Sequence, residues 1–461
     1  MTITSRSSGL SRRSSRSSAR ATAGVGVLAL GLTIAIDSAV TGAAEQTAPA
    51  AAAGITYTKH VAPIIQRSCQ GCHRPGTNAP MSLMTYEDVR PWARAIKARV
   101  KDRIMPPWHI ERNVGIQKFK DDPSLSDEEI ATIVAWADAG APRGNPSELP
   151  APATFPDEEA WHIGTPDLIV EIPKPHVVPA NAADLWIDYI ADSGLTEDRY
   201  LKAVEAKPGP GARAVVHHLL TYLIQEIDED EVLSGRLEDR GTNSESFLNE
   251  YAVGKNGDIL PDGTAKLVKA GARIRFNLHY HAAGTETVDR TRIGLKFYPK
   301  GYVPKYHQIS LQIANAHPDL DIPPNTVSRH DGYYRFSKPA RITALQPHMH
   351  NRGKRMCVEA ILPSGRAEML NCMGFEFNWH KVYNYEDDVT PLLPAGTMLH
   401  TILWHDNTAT NRSNPDPRNW VGYGQRTIDE MAFAWVTWTY LEEEDYKGMV
   451  AERAKKRATE R

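Results

Sequence analysis

The chain has 461 residues, about three times the length of a typical domain, so the sequence predicts two or three folded units. Its 53 lysine and arginine residues nearly balance 56 aspartate and glutamate residues, which argues against a nucleic-acid-binding or disordered protein. Four cysteines cannot cross-link a protein of this size, so the fold must depend on buried cores and the cysteines are available for chemistry.

The first 44 residues differ in composition from the rest and contain five arginines against one aspartate. A basic, serine-rich start, an apolar run from Ala21 to Ile36 and small residues ending at Ala44 follow the order of a secretory signal peptide cleaved near Ala44. The apolar run is shorter than the ~20 residues that cross a bilayer. We therefore expect a periplasmic or secreted protein with no stable membrane span in its mature form.

Residues 55–145 show helical periodicity between an alanine-rich linker and a proline-rich linker. Apolar residues recur at helical spacing in two stretches, from Val89 to Val100 and from Ile130 to Ala137. Ser126 and Glu129 have the spacing of a capping box at the start of the second helix. The sequence predicts a small all-α unit here.

Cys69-Gln70-Gly71-Cys72-His73, within this segment, is a C-x-x-C-H motif. In an exported protein, the two thiols of this motif bind one haem c covalently and the adjacent histidine ligates the iron. A structural disulfide or a thioredoxin-like redox pair is the alternative. Residues 55–145 thus resemble a monohaem cytochrome c domain. The predicted sixth iron ligand is Met105, and the alternatives are Met81, Met84 and His109.

After residue 160 the pattern changes to short β-rich runs separated by proline, glycine, asparagine and aspartate. The clearest runs are Leu219–Ile224, Arg273–Tyr280, Ile293–Tyr298 and His400–Trp404. This part is long for one sandwich, so we expect two stacked antiparallel β domains that meet near residues 300–310.

Three groups of histidines lie in this β region: His217-His218, His279-x-His281 and His348-x-His350. Residues i and i+2 of a strand face the same side and can bind one metal ion together. His217 and His218 would face opposite sides, so shared ligation requires a bulge or a strand end. Imidazoles with an occasional thioether indicate copper or a catalytic zinc.

Cys357 and Cys372 are equally distant from a turn at Ser364-Gly365, which predicts that they face each other across a hairpin. Neither has the closely following histidine and methionine of a cupredoxin copper site. A Cys357–Cys372 disulfide is the better interpretation.

Four ordered motifs resemble the copper type II, ascorbate-dependent monooxygenases, the family of peptidylglycine α-hydroxylating monooxygenase and dopamine β-monooxygenase. They are Val216-His217-His218, Leu278-His279-Tyr280-His281, His348-Met349-His350-Asn351-Arg352-Gly353 and Asp429-Glu430-Met431. The resemblance covers residues 160–440. It implies two copper ions, one on His217, His218 and His279 and one on His348, His350 and Met431. His279 is preferred to His281 because the family's third ligand precedes a tyrosine. The implied reaction is hydroxylation of a C–H bond, with O2 bound at His348, His350 and Met431.

The sequence also departs from the family. In the amidating enzymes, an arginine, an asparagine and a tyrosine anchor the peptide carboxylate, and here those positions are Gln346, Phe433 and Trp435. Ala432 replaces a family cysteine. A different, more apolar small substrate is therefore expected, with electrons supplied by a small reductant or a redox protein through the haem.

One alternative function is a haem and copper electron carrier or a copper-binding protein without a substrate. Another is a cupin dioxygenase, because His279-x-His281-x4-Glu286 nearly matches the cupin motif.

The predicted fold class is multidomain, a small all-α cytochrome c domain followed by two antiparallel, jelly-roll-like β-sandwich domains. The predicted boundaries are 1–44 for the signal peptide, 45–54 for a linker, 55–145 for the haem domain, 146–158 for a proline-rich linker, 159–305 and 306–445 for the β domains, and 446–461 for a charged tail.

Overall fold

The structure, a computed structural model, describes residues 54–77, 79–155, 159–226, 245–252 and 255–459. The predicted signal peptide and all of the predicted linker 45–54 except Gly54 lie outside the described residues. The strands of the described part form five sheets.

The largest sheet has ten strands and runs in the order β19-β16-β23-β13-β9-β5-β12-β2, with β20 beside β16 and β8 beside β5. Its strands are β2 (Leu168–Glu171), β5 (Arg199–Lys207), β8 (Asp258–Ile259), β9 (Thr264–Val268), β12 (Arg292–Phe297), β13 (Tyr306–Ile313), β16 (Ala340–His348), β19 (Tyr383–Asn384), β20 (Leu392–Leu393) and β23 (Phe433–Tyr440).

A four-stranded sheet and a five-stranded sheet accompany it, in the orders β4-β10-β6-β7 and β1-β18-β17-β21-β15. The four strands are β4 (Leu185–Asp192), β6 (Val216–Ile224), β7 (Glu245–Ala252) and β10 (Arg273–Tyr280). The five strands are β1 (Ile110–Gly115), β15 (Val327–Arg335), β17 (Gly353–Ile361), β18 (Ala367–Gly374) and β21 (Met398–Asp406). Two strand pairs complete the set: β3 (His176–Val178) with β11 (Thr287–Asp289), and β14 (Asp321–Ile322) with β22 (Val421–Gly422).

The described α-helices are short, apart from the last. They are α1 (Ala62–Ser68), α2 (Tyr86–Val89), α3 (Ala93–Lys101), α4 (Asp127–Asp138) and α5 (Glu443–Thr459). The predicted capping box is present at α4, because the Ser126 hydroxyl accepts from the Glu129 amide and the Glu129 carboxylate accepts from the Ser126 amide. The predicted charged tail 446–461 lies largely in α5.

The prediction of an all-α cytochrome c domain over residues 55–145 is wrong. The described part of this segment holds four short helices, and its strand β1 pairs with β18, more than 200 residues later in the chain. Phe119 belongs to the apolar core of the C-terminal β region, and Trp108 and Ile110 pack against that core. These apolar side chains are buried against a β-sheet rather than against the helices, so the segment is not a separate helical unit.

Gly115 shows how closely the two segments fit. It ends β1 with φ of +66°, a conformation that favours glycine, and a Cβ at this position would collide with the Leu370 carbonyl of β18.

The prediction of two separate β-sandwich domains is also wrong. The predicted strand runs are present in β6, β10, β12 and β21. However, β9 pairs in parallel with β13, through Tyr306 opposite Thr264, and joins both halves into one ten-stranded sheet. Residues 51–461 accordingly form one compact unit. The periodicity of the sequence predicts the individual strands. It does not predict that strands on either side of the expected boundary pair with each other.

Candidate metal centre

The first histidine cluster lies where β6 and β10 pair. His279 of β10 is opposite His218 of β6, but the next residue, Tyr280, is opposite Val216, so the register shifts and His217 is the extra residue of a bulge. The bulge turns His217 toward the side of the sheet that His218 occupies. The sequence required such an irregularity for adjacent histidines to share one ion, and the structure confirms it.

The ring nitrogens of this cluster converge. His217 Nδ1 lies 3.1 Å from His218 Nδ1, and His279 Nδ1 lies 3.4 Å from His218 Nδ1. One ligand atom from each of the three residues lies within 4.8 Å of the others. Nitrogens that bind one ion tetrahedrally at about 2 Å are about 3.3 Å apart. The residues therefore fit a bound metal ion such as copper.

Asp184 orients the third histidine. Its carboxylate accepts from His279 Nε2 at 3.0 Å and from His281 Nδ1 at 2.8 Å. With its proton on Nε2, His279 has an unprotonated Nδ1 directed at the cluster, the arrangement that a carboxylate partner gives to metal-bound histidines. His281, with an exposed side chain, contacts Asp184 and is not part of the cluster. Trp186 stacks on His279, with ring centroids 3.8 Å apart.

Burial keeps these imidazoles neutral. It lowers the pKa of His217 to about 4, helped by the nearby His279, and holds the pKa of His218 well below its usual range. Burial also lowers the pKa of His279, although Asp184 opposes this effect. Neutral imidazoles have the free lone pair that a metal ligand requires.

The second histidine cluster is formed by the end of β16 and the residues that follow it. The rings of His348 and His350 have centroids 5.5 Å apart, and His348 stacks on Phe433 of the neighbouring strand β23 at 4.6 Å. His350 donates from Nδ1 to the Asp429 carbonyl at 3.1 Å, which leaves Nε2 as its ligand nitrogen. Burial lowers the pKa of both imidazoles.

Glu430 fastens this turn to the segment that contains Met431. Its buried carboxylate accepts from the backbone amide of His350 at 2.8 Å and from that of Arg352 at 2.6 Å. Burial raises the pKa of Glu430 to about 7. His405 Nε2 donates to the Met431 carbonyl at 3.1 Å and holds the segment from the other side. The Met431 side chain packs against the aromatic cluster that contains Phe433.

A loop between β18 and β19 lies between the two histidine clusters. His380 in this loop has its ring centroid 5.7 Å from that of His218 and 5.3 Å from that of His348. The neighbouring Trp379 lies 6.0 Å from His217. The two clusters are thus separated by the width of one imidazole ring.

The residues predicted to attach haem lie in the turn after α1. The amides of Cys72 and His73 donate to the Cys69 carbonyl at 3.1 and 2.9 Å, which places both thiols and the imidazole on one turn. His73 Nδ1 donates to the Met81 carbonyl at 3.2 Å and leaves Nε2 for an iron ion. These residues fit covalent haem attachment. Cys69 and Cys72 are not disulfide-bonded to each other.

The predicted sixth ligand, Met105, lines a cavity of about 370 Å³ with Arg67, Val100 and Trp108. Cys69, Cys72 and His73 do not line this cavity. The identity of the sixth ligand therefore stays a prediction. Among the alternatives, Met81 engages His73 through its carbonyl, and His109 lies against Tyr383 of the β region.

Lys381 connects the haem-attachment turn electrostatically with the first cluster. Its ammonium group acts on the Cys72 thiol and on His217, lowering the pKa that burial alone would give each group. Cys72 itself packs against the apolar core that contains β6 and β10. The turn that is predicted to attach haem thus packs against the core to which the strands of the first cluster contribute.

The three positions that differ from the amidating enzymes lie together. Gln346 is opposite Trp435 in the β16–β23 pair and donates to the buried Glu250 carboxylate at 3.3 Å. Phe433 and Trp435 contact each other and Phe247 extends the cluster, with Trp435 5.4 Å away. Burial raises the pKa of Glu250 to about 7. The residues beside His348 therefore form a buried aromatic cluster, and the Glu250 carboxyl group beside Gln346 is buried as well.

Cys357 and Cys372 form the predicted disulfide, opposite each other in the β17–β18 pair.

Sequence reasoning missed His380 and Asp184. His380 has no second histidine at a regular spacing, and the only sequence signal is its position after three aromatic residues, Phe375, Phe377 and Trp379.

No family model matches the sequence, and no curated protein matches it. Among solved structures, the chain is similar to N-glycanase F (8% identity over 60% of this chain and 96% of that chain, TM-score 0.25). It is also similar to the major capsid protein P2 of bacteriophage PM2 (10% identity, 59% and 96%, TM-score 0.24) and to PNGF-II (10%, 63% and 65%, TM-score 0.23). These TM-scores are too low to support an argument about fold or function.

None of the helices described here combines the length and the hydrophobicity that a bilayer crossing needs.

Proposed function

We propose that this protein is an exported, haem- and copper-containing monooxygenase that hydroxylates a C–H bond of a small organic substrate with O2. The convergence of the His217, His218 and His279 nitrogens is the observation that carries the proposal. An electron carrier needs closed metal sites, whereas His348, His350 and Met431 offer three ligands and leave a coordination position for O2.

The two clusters suit two roles. Three imidazoles fixed by a β-bulge and by Asp184 suit an ion that stores and passes on one electron. Two imidazoles and a thioether suit an ion that must react with O2 in its reduced state. Copper supplies both the one-electron storage and the O2 chemistry when it is bound.

The reaction defines what the chain must deliver. The substrate R–H becomes R–OH, the second oxygen atom leaves as water, and two electrons and two protons are consumed. Because each haem and each copper holds one electron, the electrons have to arrive singly. Cys72 packs against the core that contains β6 and β10, and Lys381 interacts electrostatically with both Cys72 and His217. This proximity supports electron delivery from the haem to the first copper.

The residues beside the second cluster favour an uncharged, apolar substrate. Phe433 stacks on His348, and Trp435 and Phe247 extend the buried aromatic cluster. No arginine occupies position 346 to bind a substrate carboxylate, because Gln346 stands there and donates to the buried Glu250 carboxyl group. We therefore propose small aromatic or aliphatic compounds rather than peptides with a free carboxylate.

The test begins with the full chain isolated from a host that attaches haem c. We expect one haem that acid–acetone cannot extract and two copper ions per chain. With a reductant, O2 uptake should depend on the added substrate and should yield an equimolar hydroxylated product. Stoichiometric zinc in place of copper, or O2 uptake that no substrate stimulates, would overturn the proposal.

Two variants separate the roles of the clusters. His348→Ala should abolish product formation but leave the first copper reducible, whereas His217→Ala should slow reduction of the second copper. Replacement of both Cys69 and Cys72 by alanine should remove the haem and slow copper reduction by a protein donor. If copper is reduced equally fast without haem, the electron route is wrong.

A further inference from the structure

His380 lies at the junction of the two histidine clusters. Its loop follows β18 and places the imidazole between His218 of the first cluster and His348 of the second, with centroid distances of 5.7 and 5.3 Å. Phe375 and Phe377 contact the ring at their edges, with centroids 5.7 and 5.5 Å away.

One nitrogen of this ring is not satisfied by the described residues. Nδ1 of His380 is buried and has no hydrogen-bond partner among the described residues. A histidine kept only for packing normally gains a hydrogen bond when it is buried, because an unpaired polar group in an apolar setting is costly. Aromatic walls with an unpaired nitrogen between two histidine clusters are the setting of a metal ligand.

The distances support this interpretation. Two imidazoles that bind one ion at about 2 Å have ring centroids roughly 4.5–6.3 Å apart, depending on the angle between them. The contacts of His380 with His218 and with His348 fall within this range, as does the distance of 5.5 Å between His348 and His350.

We propose that His380 is a fourth ligand of the ion in the first cluster and that its ring, which also contacts His348, joins the two clusters into one continuous group of imidazoles. The inference rests on the proposed binding of copper by the two clusters. It gives the chain a direct connection between an electron-storing ion and an O2-binding ion. Electrons would then pass between the two ions through one side chain.

The test compares the full-length wild-type protein with His380→Ala and His380→Gln, and exposed His162→Ala serves as the matched control. Copper(I) affinity is measured by competition with a chromophoric chelator, and the number of imidazoles per copper by X-ray absorption. Both His380 variants should bind at least one copper about 10–100-fold more weakly and should show fewer imidazoles per copper. Free imidazole added to His380→Gly should restore the affinity.

The outcomes are distinguishable. If the wild-type protein binds no copper, the proposed function fails and this inference fails with it. If the wild-type protein binds two copper ions and the His380 variants match it in affinity and imidazole count, only the role of His380 is overturned. His380→Gln keeps a polar side chain in the loop, so it decides the question if the alanine variant does not fold.

Discussion

The two histidine clusters are built from different kinds of structure. In the first, all three ligands belong to two directly paired strands, and a bulge in the register brings their nitrogens to within 4.8 Å. In the second, His348 ends a strand, His350 lies in the following turn, and Met431 comes from a segment about eighty residues later. Only His348 is fixed by strand pairing.

The difference also extends to the supporting groups. Asp184 holds a ligand ring of the first cluster directly. Glu430 instead holds the backbone of the second cluster, through the amides of His350 and Arg352. In the first cluster a carboxylate fixes a ring, whereas in the second the His350 ring is held by the Asp429 carbonyl and a carboxylate fixes the turn that carries it.

Removal of the central ligand of the first cluster should have the largest effect. His218 lies within 3.4 Å of both partner nitrogens, so His218→Ala should reduce copper from two ions to one per chain. Metal analysis after dialysis measures the change. His281→Ala is the control, because His281 contacts Asp184 from outside the cluster and should retain both ions. Retention of two tightly bound ions by His218→Ala would refute the first site.

Glu430→Gln should affect the second cluster only. Glutamine replaces one carboxylate oxygen by an NH2 group, which cannot accept, so one of the two backbone amides loses its acceptor and the turn that presents His350 should loosen. We expect a loss of about 10–100-fold in copper affinity at the second site. The copper affinity of the first site should be unchanged. Copper(I) titrations of Glu430→Gln, and of the double variant that also carries His218→Ala, measure the two sites separately. Equal weakening at both sites would mean that the clusters are not independent.

The features that follow from local sequence were predictable. The strands at Arg273–Tyr280 and Leu219–Ile224 follow from composition and spacing, and the hairpin register placed Cys357 opposite Cys372. The bulge at His217 was required by geometry once two adjacent histidines were taken as ligands of one ion.

The features that depend on distant partners were not predictable. Nothing near Ile110–Gly115 indicates that it adds a strand to β18, and nothing near residue 306 indicates parallel pairing with β9. The position of His380 is likewise set by a loop that two sheets hold in place, and a single histidine has no periodicity to reveal it. Spacing arguments find ligands that one strand presents together, and they miss a ligand contributed alone.

The disulfide should stabilise the frame of the second cluster more than that of the first. Cys357–Cys372 joins β17 and β18, and the loop with His380 follows β18. Closing a loop of 15 residues is worth about 3 kcal/mol in the chain-entropy account. Replacement of both cysteines by alanine should lower the free energy of unfolding by about 2–3 kcal/mol in urea titrations. A change below about 0.5 kcal/mol would show that the hairpin is already fully ordered without the bond.

The smallest effect concerns acid stability of the metal-free protein. Burial lowers the pKa of His217 from 6.5 to about 4. Above pH 6.5 the side chain is neutral in both the folded and the unfolded state, so it imposes no penalty. As the pH falls from 6.5 to 4, the unfolded chain binds a proton that the folded chain does not, and stability declines by at most about 1.4 kcal/mol per pH unit for this group.

His217→Gln should therefore flatten the acid limb of the stability profile between pH 6.5 and 4. Urea unfolding in the presence of a chelator measures this profile. His162→Gln, at an exposed position outside the histidine clusters, is the matched control for the substitution itself. An identical acid limb in wild type and His217→Gln would mean that the first cluster binds protons as readily as solvent-exposed histidines do, and its preorganisation for a metal would then lose its electrostatic basis.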